Sequence, residues 1–285
     1  MYVKTVVAII VGCLALSSFD LAARQLWSNS LENSLKQAAS ANKPLIIDIY
    51  ASWCMYCRRM QSEVYPDPAI QKLTNQFIRV RLNGEKHPDL MTRYTVRGFP
   101  TMIFLNSRGL LIGRLSGYQN AGRLSKYLNE MLNQARENKK ILEQLKGDPW
   151  SVYWNYKAGL EQYRTGELSA ARLHFKRAQD RFPLLKEPKE ADIQAAYDSS
   201  FNLAVVLMDQ DEYKAAAEQW SYYLGCCVTE QKHRTYARYY RGVTFYYMKD
   251  FQPAKADLLY AVKRLPGGQD KTGAEKLLSL IEQGD

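Results

Sequence analysis

The sequence predicts an α/β layered domain followed by an all-α domain of helical repeats. Three observations carry this. Short apolar strands alternate with helical stretches up to about residue 135. Beyond Gly147-Asp148-Pro149 the apolar spacing is helical throughout, with small and large residues recurring in register. A Cys-x-x-Cys pair lies directly after the first strand, at the start of a helix. Strands alternating with helices, then a hairpin, then a helix, build a sheet covered by helices.

The first 23 residues read as an export segment. Met1 to Lys4 is short and carries one positive charge, Val6 to Leu16 is apolar, and small residues follow. This is the secretory signal pattern, with an apolar run short of the ~20 residues of a comfortable membrane span. Cleavage after Ser17 and after Ala23 both fit. Ile10-Val11-Gly12-Cys13 resembles a lipoprotein box, which would make Cys13 a lipid attachment site. An uncleaved anchor helix is the third reading. All three place the rest of the chain in the periplasm or cell envelope, with membrane anchoring through the N-terminus in two of them.

Ser28 to Ala41 has helical spacing, with Leu31, Leu35 and Ala38 on one face. Leu45 to Tyr50 reads as a buried strand broken by one acid, Asp48. A helix begins near Cys54 and runs to Val64, Tyr65-Pro66-Asp67-Pro68 interrupts it, and Ala69 to Asn75 is one more helical stretch. Phe77 to Leu82 alternates as a half-buried strand does. Asp89 to Tyr94 is a short helix. Thr101 to Leu105 and Leu110 to Leu115 form a hairpin about Asn106-Ser107-Arg108-Gly109. A long helix from Ala121 leads out of the domain. The expected boundaries are 26–135 for the α/β domain, 136–149 for a connecting helix and 150–285 for the repeats.

The formal net charge of +10 is unevenly placed. Ser40 to Ala135 holds 13 basic and 6 acidic residues, whereas the part from Arg136 on holds 23 and 21. The first folded half is therefore the basic one; a solvated surface is the plainer reading, and a field that an acidic partner or an anionic membrane surface could use is the other. No basic run interleaved with aromatics points to nucleic acid. Five cysteines are too few for a disulfide-stapled scaffold, so the pair with two intervening residues is a redox or metal candidate. A zinc site lacks a second such pair, and His87, His174 and His233 are scattered, so no metal is expected. At a helix N-terminus, backbone N–H groups and the helix dipole favour a thiolate. Cys54 is then the nucleophile and Cys57 the resolving thiol.

The run Asp48-Ile49-Tyr50-Ala51-Ser52-Trp53-Cys54-Met55-Tyr56-Cys57 resembles the active site of the thioredoxin superfamily, and Arg97-Gly98-Phe99-Pro100-Thr101 resembles its cis-proline loop. The likeness covers roughly Leu26 to Leu132. It is nearest to the C-terminal periplasmic domain of DsbD-type thiol:disulfide interchange proteins, with Asp67-Pro68 as a further shared feature. The resemblance implies a reductase-like protein-disulfide oxidoreductase. In it Asp48 acts as base for Cys57, Pro100 is cis, and Phe99, Pro100 and Thr101 offer backbone to a substrate strand while Trp53 covers one side. It implies protein thiol or disulfide clients, an upstream thiol electron donor and no cofactor. Met55-Tyr56 departs from the family's familiar dipeptides, and the direction of electron transfer stays open on the sequence.

In the helical half, Gly159, Ala171, Phe175, Ala178 and Pro183 set the register. It recurs as Ala204, Ala216, Trp220 and Tyr223, and again as Gly242, Ala254, Leu258, Ala261 and Pro266. Tyr213 and Phe251 add an early aromatic in the second helix. The pattern resembles the tetratricopeptide repeat, which implies a groove for a protein partner. A packing or dimerisation appendage is the plainer reading. Leu184 to Asp198 and Val228 to Thr235 are extra to the repeat, and a final helix is expected from Lys271 to Gln283. Cys226 and Cys227 are expected to be buried thiols, because neighbouring cysteines rarely bridge; a second redox pair is the alternative. The rival to an enzyme is an envelope adaptor whose repeats do the work and whose α/β domain is a docking surface.

Overall fold

A computed structural model of the chain describes residues 27–227 and 230–283. The export segment, its cleavage points and Cys13 lie outside the described residues. Among the described residues no helix is long and apolar enough to cross a membrane. The chain divides into two compact units, one up to Ala135 and one from Arg136.

The first unit is built on a four-stranded sheet in the order β2-β1-β3-β4. Strand β1 (Leu45–Tyr50) is central, parallel to β2 (Ile78–Asn83) and antiparallel to β3 (Thr101–Leu105). Strand β4 (Leu111–Ser116) closes the hairpin with β3. The turn between them follows from its residues. Asn106 Oδ1 accepts from the backbone N–H groups of Arg108 and Leu110, and Gly109 takes a left-handed φ of 78°.

Helices cover both faces of the sheet. Helix α1 (Leu31–Ala41) starts where the Ser30 hydroxyl accepts from Asn33 N–H and ends at Asn42, left-handed at φ 49°. Helix α2 (Met55–Arg59) runs on without a break into a π-helical turn, Met60–Val64. Helix α3 (Pro68–Thr74) is capped by the Asp67 carboxylate, with Pro68 in the first turn where its missing N–H costs nothing. Helix α4 (Pro88–Arg93) is short, and α5 (Ala121–Gly147) begins after β4 and contains the division between the units.

Side chains of a strand alternate between faces. Leu45, Ile47 and Ile49 enter one core with Val80, Ile103 and Leu105. Ile46 enters the other with Met60, Val64, Phe104 and Leu128. Position 48 shares the Ile46 face, so an acid there is carried into the apolar layer beneath α2 and the π turn.

The second unit is a succession of helices: α6 (Val152–Arg164), α7 (Leu168–Arg181), α8 (Glu190–Asp209), α9 (Tyr213–Cys226), α10 (Gln231–Tyr247), α11 (Phe251–Val262) and α12 (Gln269–Gln283). Of the residues in register at the sequence level, Phe175, Trp220 and Leu258 are fully covered, as are Ala171, Ala216 and Ala254, whereas Pro183 and Pro266 are exposed. The turn within each pair repeats. Gly166, Asp211 and Lys249, each seven residues after the small residue of its first helix, have φ of 83°, 59° and 61°. One residue on, the N–H of Glu167, Glu212 and Asp250 returns to the carbonyl five residues back. The Leu184 to Asp198 stretch is accounted for in part by α8, which extends the first helix of its pair back to Glu190.

One expectation fails here. Cys226 is exposed, and the structure joins it to Cys227, which is buried. Successive residues on a helix point about 100° apart. Cys227 therefore turns in with Tyr223, while Cys226 faces out.

Gly159 tests the helix packing directly. A Cβ there would lie 2.5 Å from the ring of Phe175, which has no exposed surface and no room to yield. Gly225, also helical, faces open space. In urea denaturation, Gly159→Ala is expected to cost about 1–3 kcal/mol by overpacking. Gly225→Ala is expected to be neutral or to gain up to about 1 kcal/mol from helix propensity. Equal effects at the two positions would contradict the packing.

Candidate active site

Cys54 is the N-cap of α2. Its extended backbone ends β1's exit loop, and its sulfur accepts a 3.0 Å hydrogen bond from Cys57 N–H. One of the free amides of the helix's first turn, the third, thus points at this sulfur, which is the local arrangement that favours a thiolate. Cys57 lies one turn on, and the two are joined as a disulfide with Cα atoms 5.3 Å apart. The two cysteines are 4 % and 2 % exposed, so both are buried.

The loop of Arg97 to Thr101 faces the pair. The Phe99–Pro100 peptide bond is cis. Thr101, fully buried at the start of β3, donates through Oγ1 to the Gly98 carbonyl at 2.8 Å and ties the loop back on itself. The Phe99 ring packs with Cys54, Cys57 and Ala51 and meets Trp53 edge-on at 5.8 Å. Gly84 makes room for it, since a Cβ there would come within 2.6 Å of that ring. Trp53 is 67 % exposed and is held by an indole N–H donated to Glu85 Oε1 at 2.9 Å. Met55 and Tyr56 are also exposed. Tyr56 neighbours Tyr118, which lies under the Arg59 guanidinium and donates to Glu63, the bidentate partner of Arg59. The surface around Cys54 is therefore apolar and aromatic on both sides.

Asp48, on the β1 face it shares with Ile46, is 1 % exposed, and its neighbours Arg81 and Tyr65 line a cleft together with Cys57. Its cross-strand neighbour on β2 is Arg81, with Nε 3.1 Å from Oδ2. The Tyr65 hydroxyl is close enough to favour the charged carboxylate. Even so, burial dominates and lifts the Asp48 carboxyl from its ordinary 3.8 to about 6, against the pull of Arg81 and then of Tyr65. The same burial pushes the Tyr65 hydroxyl well up. Both Asp48 oxygens, the Tyr65 hydroxyl and Arg81 Nε are buried without a well-formed hydrogen bond, so charge holds this group together. A cleft of about 910 Å³ runs alongside, lined by Cys57, Tyr65, Arg58, Arg79 and Arg81, with Trp27 stacked on Tyr65 at 5.3 Å. These arginines are part of the basic excess of this half.

Of the site residues named from the sequence, Trp53, Cys54, Cys57 and Phe99 pack together, with Pro100 and Thr101 on the Phe99 loop, and Asp48 is joined to them through Arg81 and Tyr65 at the cleft that Cys57 lines. Sequence reasoning missed Arg81, Tyr65, Glu85 and Gly84. Arg81 had one available signal, a cation on an alternating strand, but its partner is set by register across two strands. His174 donates its Nδ1–H to Asn155 Oδ1 at 2.9 Å in the other unit, a packing role. Among the described residues no His, Cys, Asp and Glu cluster could hold a metal ion.

Asp48 holds its proton more tightly in the folded chain than in the unfolded one. Folding stability therefore falls as pH rises from 3.8 towards about 6 and is level beyond. Asn cannot titrate, so the stability of Asp48→Asn relative to wild type is expected to rise across that window. Urea titrations at several pH values read this difference; a constant difference would contradict the buried, proton-retaining carboxyl.

The model of the thioredoxin-like domain family matches residues 31–132. The thiol:disulfide interchange protein DsbD of Actinobacillus pleuropneumoniae is 28 % identical over 102 residues, 34 % of this chain and 18 % of that protein. DsbD of Pectobacterium atrosepticum is 30 % identical over 98 residues, 32 % of this chain and 17 % of that protein. The chain thus spans less than a fifth of the length of these curated relatives. The oxidised DsbD C-terminal domain of Neisseria meningitidis is 20 % identical and 98 % covered, over 37 % of this chain, at a TM-score of 0.33. Residues 31–132 are a thioredoxin-like domain with a Cys-x-x-Cys motif, homologous to the DsbD-type thiol:disulfide interchange domains.

Proposed function

We propose that the protein is an exported, reductase-like thiol–disulfide oxidoreductase of the periplasm or cell envelope. It acts on protein disulfides, and its helical repeats recruit a partner. The observation that carries this is the grouping of Cys54, as helix N-cap, with Cys57, a buried Asp48 and the Phe99–Pro100 loop.

In this reading, a client strand lies along Phe99 to Thr101, between the exposed Trp53 and the Met55–Tyr56 side. The reduced Cys54 thiolate attacks the client disulfide, forming a mixed disulfide and releasing one client thiolate. Asp48, ionised above about pH 6, takes the Cys57 proton. Cys57 then attacks Cys54, closing the Cys54–Cys57 disulfide and releasing the second client thiolate. An upstream thiol donor re-reduces the pair. The N-terminal sequence pattern supports export. The three similar turns, each with a left-handed residue and the same return hydrogen bond, and the register of buried residues support tetratricopeptide-like repeats and a partner site on them.

The same repetition favours the second reading, an adaptor that needs no exchange chemistry. Partner pull-down with Cys57→Ala and with both Cys54 and Cys57 replaced separates the two: an adaptor keeps the same partners in both, whereas the oxidoreductase holds disulfide-linked clients in Cys57→Ala and loses them when both cysteines are replaced.

With a peptide disulfide as substrate, Cys54→Ala is expected to abolish reduction and Cys57→Ala to accumulate the mixed disulfide. Equal turnover by Cys54→Ala and wild type would contradict the proposal. In single-turnover quench experiments, release from the mixed disulfide is expected to slow below about pH 6 in wild type. That inflection is expected to be missing in Asp48→Asn.

A further inference from the structure

We infer that Cys226 and Cys227 form a second exchange-active couple of this chain, entered at Cys226, that trades electrons with Cys54 and Cys57. The inference rests on the exchange activity proposed above.

The two residues are bonded to each other at the C-terminal end of α9. A disulfide stabilises a fold chiefly by the loop it closes in the unfolded chain, and the effect grows with loop length. No residue lies between these two, so the bond contributes almost nothing as a staple. Its two sulfurs also sit in different surroundings. Cys226 is the last residue of α9 and is exposed. Cys227 is 7 % exposed, packs with Trp220, Tyr223 and Ala237, and donates its N–H to the Tyr223 carbonyl at 3.0 Å. An incoming thiolate therefore has one sulfur to reach. Exposed disulfides are, as a class, the labile and regulatory ones.

The ends of the two helices assign the roles. Cys54 is at a helix N-terminus, where a thiolate is favoured; Cys226 is at a helix C-terminus, where the dipole disfavours one. Cys54 is thus the attacking sulfur. Its thiolate attacks Cys226 Sγ, the Cys54–Cys226 bond forms, the Cys226–Cys227 bond breaks, and Cys227 leaves and takes up a proton. Cys57, having lost its proton, attacks Cys54 Sγ, closing Cys54–Cys57 and freeing the Cys226 thiolate. Two electrons move from one couple to the other, and no further reactant is needed. The exchange runs between two copies of the chain.

The test uses full-length chains and peptide mapping of alkylated cysteines. One chain carries Cys54→Ser and Cys57→Ser and is oxidised; the other carries Cys226→Ser and Cys227→Ala and is reduced. In the first chain alone, Cys226 and Cys227 are expected to resist alkylation until a reductant is added. Oxidised wild type, mapped alongside, gives the same reading without substitutions. On mixing, two alkylatable thiols are expected to appear at Cys226 and Cys227 while Cys54 and Cys57 become protected. Adding Cys57→Ala to the reduced chain is expected to leave a covalent Cys54–Cys226 adduct. Free, alkylatable Cys226 and Cys227 in the oxidised chains would overturn the couple. So would a bond left intact by a reduced chain that, in the same tube, opens a peptide disulfide. A reduced chain that opens neither disulfide removes the proposed exchange activity, and this inference falls with it.

Discussion

The site depends on the burial of one carboxyl. Asp48 is held in the central strand, inside an apolar layer, where a charge is costly. Arg81 on the neighbouring strand offsets part of that cost without cancelling it, and the carboxyl settles near 6. A fully paired surface acid would be a poor proton acceptor for a thiol, and an unpaired buried one would stay protonated. The intermediate value leaves Asp48 ionised at neutral pH yet ready to take a proton. Buried ion pairs are weak evidence for stability. Here the pair is better understood as tuning an acid that the fold would be more stable without.

The rest of the α/β unit places groups around that acid. Strand alternation sends position 48 to the face beneath α2, and the exit of β1 delivers Cys54 to the N-cap of that helix. The Cys57 amide then satisfies its own need for an acceptor by bonding to Cys54 sulfur. Backbone accounting and thiol activation are met by the same contact. Opposite, Thr101 and Gly84 fix the loop and the Phe99 ring, and Trp53, Met55 and Tyr56 are exposed around Cys54, where the proposed function places a client strand. In the second unit, helix pairs repeat one turn geometry and seat a large residue against a small one, as Phe175 does on Gly159.

Much of this was legible in the sequence, for reasons of locality. The cysteine spacing, the acid within Leu45 to Tyr50, the Gly98-Phe99-Pro100 loop and the register from Gly159 to Leu258 are all set by neighbours along the chain. Arg81 and Tyr65 were not legible as partners of Asp48. The first meets it through strand register and the second across the sheet face, and neither leaves a mark at short range. Cys226 was misjudged for another reason. Cysteine is commonly buried, and residue type alone does not say which turn of a helix faces the core; here Cys227 packs with Tyr223 and Trp220, while Cys226, the last residue of α9, is exposed.

The most direct test of the account is the equilibrium of the Cys54–Cys57 pair in defined thiol–disulfide buffers. The account predicts a reversible two-electron couple towards the thioredoxin end of the scale, about −270 mV. A couple near −120 mV would make the protein an oxidant and contradict the reductase reading. A pair that forms no reversible disulfide would contradict the exchange chemistry altogether.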